Sequence, residues 1–169
     1  MVTFQVIAWD DRDEDDKHLI SIYGKTEDGR SVCVTTPYVP YFFVKFPSDW
    51  STSDAHVFIR TMESKCKGAL VGHEFVERKD MWGFQNGESS KFVRLDCQTL
   101  RGRRLIDWKI RDQFPQVQAF EANLDPVLRF MHETDIQATG WVCAEEGTNP
   151  SFVAHVDVDL WMDDWKALK

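Results

Sequence analysis

Residues 117–142 read VQAFEANLDPVLRFMHETDIQATGWV. The first five alternate as a strand does, with Val117, Ala119 and Glu121 on one face. The pattern stops at residues 123–126. Asp125 has the side chain of a helix N-cap, and Pro126 suits the first helical position, where its missing N–H would have no partner anyway. Val127 and Met131 lie four apart with Leu128 beside them, which predicts a short helix with one apolar stripe. Thr139 and Gly140 close the connection, and Trp141 opens another strand. The stretch is a strand–helix–strand unit of an α+β chain.

Upstream, residues 41–46 (YFFVKF) are nearly continuous apolar, as in a strand covered on both faces. A loop follows, with Ser53 as a candidate N-cap. Ala55, Phe58, Ile59, Met62 and Cys66 then recur on one face of a helix that Gly68 ends. Residues 69–79 and 91–98 read as paired strands around Asn86-Gly87. Thr99 caps a second helix, from Leu100 to about residue 112, and Pro115 ends it. Together with the strand at residue 117 the order is βαββαβ, which predicts a ferredoxin-like subdomain over residues 38–121.

Further out, residues 4–9 alternate, with Phe4, Val6 and Ala8 on one side and Ile7 and Trp9 on the other. Residues 10–16 (DDRDEDD) repel one another and predict a solvated hairpin loop. Residues 18–24 and 31–35 are strands joined at Asp28-Gly29, where glycine supplies a positive φ. This antiparallel meander and a last strand at 152–159 predict a β-rich, OB-like part made of residues 1–37 and 122–169. It flanks the ferredoxin-like part within one module of residues 1–169.

Of the 169 residues 43% are hydrophobic and 28% charged, a globular balance. No apolar run reaches 18 residues, and the start carries no secretory pattern. Cys33, Cys66, Cys97 and Cys143 are widely spaced, with no Cys-x-x-Cys, which predicts reduced thiols in an intracellular chain. The five histidines form no ligand pair, and no Gly-rich phosphate loop or Gly-x-Ser-x-Gly elbow is present. A net charge of −8 argues against a charge-driven nucleic-acid binder acting alone. Any DNA contact needs a local basic patch or neighbouring domains.

Two patches qualify. Arg101, Arg103, Arg104, Lys109 and Arg111 stand against Asp107 and Asp112, a local +3 on the second helix. They are candidate phosphate contacts, but a solvated helix face or a salt-bridged contact with another domain is the reading this pattern favours. Trp82 and Phe84 lie near Arg78, Lys79 and Lys91 around the predicted hairpin. Aromatics beside cations can stack bases and neutralise phosphates in single strands, and an aromatic plug into a neighbouring domain is the alternative. Asp157 and Asp159, two apart on a predicted strand, are a weak candidate for metal-ion binding of the kind that supports in-line attack on phosphate.

Several of these segments resemble family B DNA polymerases of large DNA viruses and eukaryotes. The resembling residues are Phe120, Glu121, residues 123–126 (NLDP), residues 128–132 (LRFMH) and Gly140-Trp141. Residues 26–34 (TEDGRSVCV), 40–47 (PYFFVKFP), 77–87 (ERKDMWGFQNG) and 91–95 (KFVRL) follow the same pattern in the same order. The resemblance implies an amino-terminal domain beside the 3′–5′ exonuclease domain and the single-stranded template, with no catalytic residues of its own. It places Pro40, Tyr41 and Phe120 near positions that line a uracil-reading pocket in archaeal relatives.

The palm aspartates and the exonuclease body are absent from this sequence, so the chain reads as a piece of a longer enzyme or as a separate gene for this module alone. By resemblance, Mg²⁺ belongs to the catalytic domains and not to this chain. The implied partners are the DNA template and the remaining polymerase domains, with no membrane. The implied location is the nucleus or the viral replication site of an infected cell. The alternatives are a free-standing single-strand-binding module and a minimal metal-dependent nuclease.

Overall fold

A computed structural model describes residues 1–78, 90–145 and 155–169. In chain order the elements are β1 (Val2–Glu14), β2 (Lys17–Lys25), β3 (Ser31–Tyr38), β4 (Tyr41–Lys45), α1 (Thr52–Lys65), β5 (Leu70–Arg78), β6 (Ser90–Cys97), α2 (Leu100–Gln113), β7 (Gln118–Phe120), α3 (Pro126–Thr134), β8 (Trp141–Ala144) and β9 (Val158–Trp161). A short 3-10 turn follows at Trp165–Ala167. The fold is mixed α+β with two sheets, and the chain divides into two compact units.

Residues 39–123 form one unit. Its sheet has the order β5-β6-β4-β7, antiparallel throughout. The helical stripe read from the sequence is the buried face of α1. Ala55 is buried, and Phe58, Ile59, Met62 and Cys66 join Phe42, Val44, Val93, Leu95, Ile106 and Ile110 in the core. Helix α1 starts two residues before the expected cap. Ser51, not Ser53, is the N-cap, and Ser51 and Asp54 form a reciprocal capping box. Asp at the third helical position returns a bond to the cap backbone, which Ser53 has no partner to do. Thr99 caps α2 as expected, accepting from Gly102 N at 2.9 Å.

Residues 1–38 and 124–169 form the other unit. Its sheet order is β8-β1-β2-β3-β9, with β3 and β9 parallel. The expected antiparallel, OB-like part is therefore a mixed five-stranded sheet with β8 and β9 at its edges. The parallel pair follows from the long excursion of the chain between β3 and β9, which a hairpin could not make.

Three expectations about this unit are corrected. The acidic run is not a loop: β1 extends to Glu14, and only Asp15-Asp16 form the turn to β2. Alternation gives those carboxylates a use. Asp11 and Asp13 bracket the buried His18 of β2, with Asp13 Oδ1 hydrogen-bonded to Nδ1 at 2.8 Å. Asp11 Oδ2 lies 3.2 Å from Nε2, without hydrogen-bond alignment. Burial pushes the Asp11 carboxyl up, and His18 opposes that rise.

The face of β1 also changes along its length. A bulge between Val6 and Ala8 shifts the register, so Phe4, Val6 and then Trp9 meet the core while Ile7 and Ala8 are exposed. Gly24 sits opposite the bulge. A Cβ there would lie 2.2 Å from Gln5 O and 2.4 Å from a Phe4 ring carbon, so the close approach requires glycine.

Finally, α3 buries Pro126, Arg129 and Phe130, not the predicted Val127–Met131 stripe, and Leu128 is exposed. Phe130 wins the core position because three rings surround it edge-on: Trp9 at 6.1 Å, Tyr38 at 5.7 Å and Trp165 at 5.5 Å. Asp125 and Pro126 start the helix as expected, with Asp125 Oδ1 accepting from Val127 N and Leu128 N. Each favourable aromatic pair contributes about 0.5–1.5 kcal/mol beyond area burial.

Candidate nucleic-acid interface

Helix α2 sorts its basic residues by its own periodicity. Gly102, Arg103, Ile106 and Ile110 are buried. Arg101, Arg104, Leu105, Trp108 and Arg111 share the exposed side. Arg103, a candidate phosphate contact by composition, is therefore an interior residue. Its charge acts on the Cys97 thiol: burial pushes that thiol up to about 12, and Arg103 opposes the shift. Arg111 is partly committed, since its Nε lies 3.1–3.2 Å from the Asp107 carboxylate one turn earlier. Lys109 stands 4.9 Å from the centre of the Trp108 ring. The exposed remainder is an Arg101, Arg104, Trp108 and Arg111 stripe, capable of phosphate contact with one aromatic face.

On the face of the sheet opposite the helices, alternation puts Tyr41 and Phe43 of β4 beside Phe92 of β6 and Phe120 of β7. Phe92 and Phe120 pack edge to face at 5.6 Å. The Arg78 guanidinium lies 4.5 Å above the Phe43 ring, and Arg94 lies 4.7 Å above Tyr41 while bonding Asp96. Phe43 and Phe92 are buried. Arg78 thus serves an aromatic of its own sheet; the sequence groups it with Trp82 and Phe84. Those two residues and Lys79 lie outside the described residues. Lys91 is exposed at the start of β6. Pro40 is buried, and Tyr41 and Phe120 are half-buried.

Asp157 precedes β9, and its carboxylate accepts from both Ser31 N and Ser31 Oγ at 2.7 Å. Ser31 Oγ in turn lies 3.0 Å from Asp157 N. These bonds hold the Asp157 carboxyl below its usual range. Asp159 sits within β9, in register with Cys33. The two carboxylates named together from sequence therefore have different surroundings, and Asp157 fastens β9 to the start of β3. Among the described residues no group of three or more His, Cys, Asp or Glu is arranged to hold a metal ion.

Sequence reasoning missed a cavity of about 650 Å³ lined by Lys45, Phe46, Trp50, Glu77, Lys91 and Phe92 among others. Its signal was present: residues 45–51 (KFPSDWS) place a cation and two aromatics directly before a helix cap. Only the folded chain brings Lys91 to them, through β4–β6 pairing of Lys45 with Phe92.

No family model matches the chain. It is 30% identical to the DNA polymerase of Paramecium bursaria Chlorella virus NY2A over 73% of its own length and 13% of that protein. It is 24% identical to the DNA polymerase of Acanthamoeba polyphaga mimivirus over 98% of its length and 11% of that protein. It is 28% identical to the DNA polymerase delta catalytic subunit of Schizosaccharomyces pombe, over 83% of its length and 14% of that protein. Among solved structures, the family B DNA polymerase of the archaeon Pyrobaculum calidifontis matches 94% of this chain and 20% of its own, with TM-score 0.69 and 16% identity.

The chain is homologous to the family B DNA polymerases and corresponds to their amino-terminal region. Viral DNA polymerases and eukaryotic polymerase delta catalytic subunits are among the relatives it matches by sequence. It spans only about one-seventh or less of their length.

Proposed function

We propose that this chain is a non-catalytic amino-terminal module of a family B DNA polymerase. Its role is to support the 3′–5′ exonuclease domain and to line part of the template path during DNA replication, in the nucleus or at a viral replication site. Its partners are the remaining polymerase domains and the template strand, and the catalytic Mg²⁺ ions are held by those other domains. One observation carries this reading: the likeness to a family B polymerase fold runs over 94% of the chain yet covers only a fifth of that polymerase.

The unit of residues 39–123 is read as ferredoxin-like. Its βαββαβ order and its antiparallel strand order β5-β6-β4-β7 support that. Primer-extension and 3′–5′ exonuclease assays of the isolated chain with Mg²⁺ test the functional reading. The expected result is no turnover, and robust activity of either kind overturns it.

A second reading, a single-strand-binding module, draws on the exposed Arg101, Arg104, Trp108 and Arg111 stripe of α2. It requires salt-sensitive oligonucleotide binding by the isolated chain that is lost when Arg101, Arg104 and Arg111 are changed to Ala.

A further inference from the structure

The cavity in the unit of residues 39–123 has a chemistry that the proposed scaffold role leaves unused. Phe46 and Trp50 stack at 5.4 Å with 20° between their planes. Both rest on Phe58, at 5.3 and 6.2 Å, and Trp50 also meets Phe114 at 6.3 Å. The backbone closes the same turn, with Trp50 N donating to Pro47 O at 3.1 Å. This aromatic wall is fixed before any ligand arrives, which lowers the ordering cost of binding.

Among the described residues that line the cavity, two are lysines and one is acidic. Glu77 and Lys91 face each other across β5 and β6, and Lys45 ends β4. A local excess of positive charge stands out in a chain of net −8. The start of α1, at Ser51 and Thr52, also lines it and adds the positive end of a helix dipole. The volume of about 650 Å³ falls within the roughly 300–1,000 Å³ of small-molecule sites.

Fixed rings beside cations suit a ligand with one flat aromatic part and one anionic part. We infer that this cavity binds a nucleoside phosphate, with the base against the Phe46–Trp50 wall and the phosphate toward Lys45 and Lys91. A free nucleotide and one unit of a single DNA strand present the same chemistry. The site shares no residue with the α2 stripe, and it lies at the opposite end of β4 from Tyr41.

The test titrates the ¹⁵N-labelled full chain with deoxyadenosine monophosphate, a single-stranded deoxyadenosine hexamer, or inorganic phosphate. The expected result is saturable shifts of the Trp50 indole and of the Thr52 and Lys91 amides with a nucleotide probe. Lys91→Glu, at an exposed position, should leave the remaining spectrum intact and weaken binding at least tenfold. Equal affinities for monophosphate and hexamer identify a free nucleotide as the ligand, and a hexamer bound at least tenfold tighter identifies a strand. Shifts confined to α2, no shifts at all, identical shifts with phosphate alone, or unchanged binding in Lys91→Glu overturn the inference. None of these readouts depends on polymerase or exonuclease activity, so the site and the scaffold role fail separately.

Discussion

Residues 39–123 build their unit from one uninterrupted stretch, whereas the other unit joins residues 1–38 to residues 124–169. In the continuous unit, two capped helices cover one face of the sheet, and each helix declares its buried side by its own spacing. In the split unit, β1 pairs with β8 from Val2 to Ala144, β3 pairs with β9, and the Lys169 backbone exchanges hydrogen bonds with Cys143. Its core closes on the short helix α3, through Phe130. The difference teaches where stability is concentrated. Both units contain local hairpins, β1–β2–β3 in one and β5–β6 in the other, but the split unit must also join the two ends of the chain, at β1–β8 and β3–β9, against a larger loop-closure cost.

The strongest way to break this comparison is Phe130→Ala. Removing a fully buried ring should cost about 3–5 kcal/mol. Amide exchange should lose protection in β1, β2, β3 and β8 while β4 and β6 stay protected. The same truncation at Phe58, fully buried in the other unit, should reverse the pattern. Loss of protection everywhere in both variants would show that the contrast between units has no energetic counterpart.

Next in size is Gly24→Ala. With backbone oxygen and a core ring inside the new Cβ radius, the variant should lose about 1–3 kcal/mol, read from exchange in β1 and β2. Gly29, at φ 87° with nothing near its missing Cβ, pays only for backbone strain, so Gly29→Ala should cost less.

The Cys97 thiol sharpens the comparison through pH. Burial pushes it up to about 12 in the folded chain, against an ordinary value of 9.0. The unfolded thiol ionises first, so its stabilising contribution is complete below about pH 9 and fades as pH rises toward 12. The slope is about 1.4 kcal/mol per pH unit for this one group. Urea unfolding of the continuous unit at pH 8 and pH 10, wild type against Cys97→Ala, should show a steeper alkaline loss in the wild type.

The smallest effect expected is at the helix caps. Thr99→Ala should cost about 1 kcal/mol and speed exchange in the first turn of α2. Asp125→Ala should do likewise at α3, where one carboxylate oxygen serves two amides.

The α1 core stripe and the Thr99 and Asp125 caps were legible in the amino-acid sequence because each rests on residues within a turn or two of one another, and the polymerase resemblance because several such short segments follow in one order. The candidate site was legible only in composition. The run of arginines on α2 was visible, but burial removes Arg103 from it, and Lys91 was visible without the aromatic wall it reaches. Three features belonged to tertiary structure alone. The bulge after Val6 reversed a strand face because register is a property of two strands. DDRDE became strand because His18 and the β2 ladder gave it partners. Phe130 displaced the apparent stripe of α3 because Trp9, Tyr38 and Trp165 arrive from distant parts of the chain. Spacing along one segment fixes its shape and its polar pattern; which side is buried depends on what other segments bring to it.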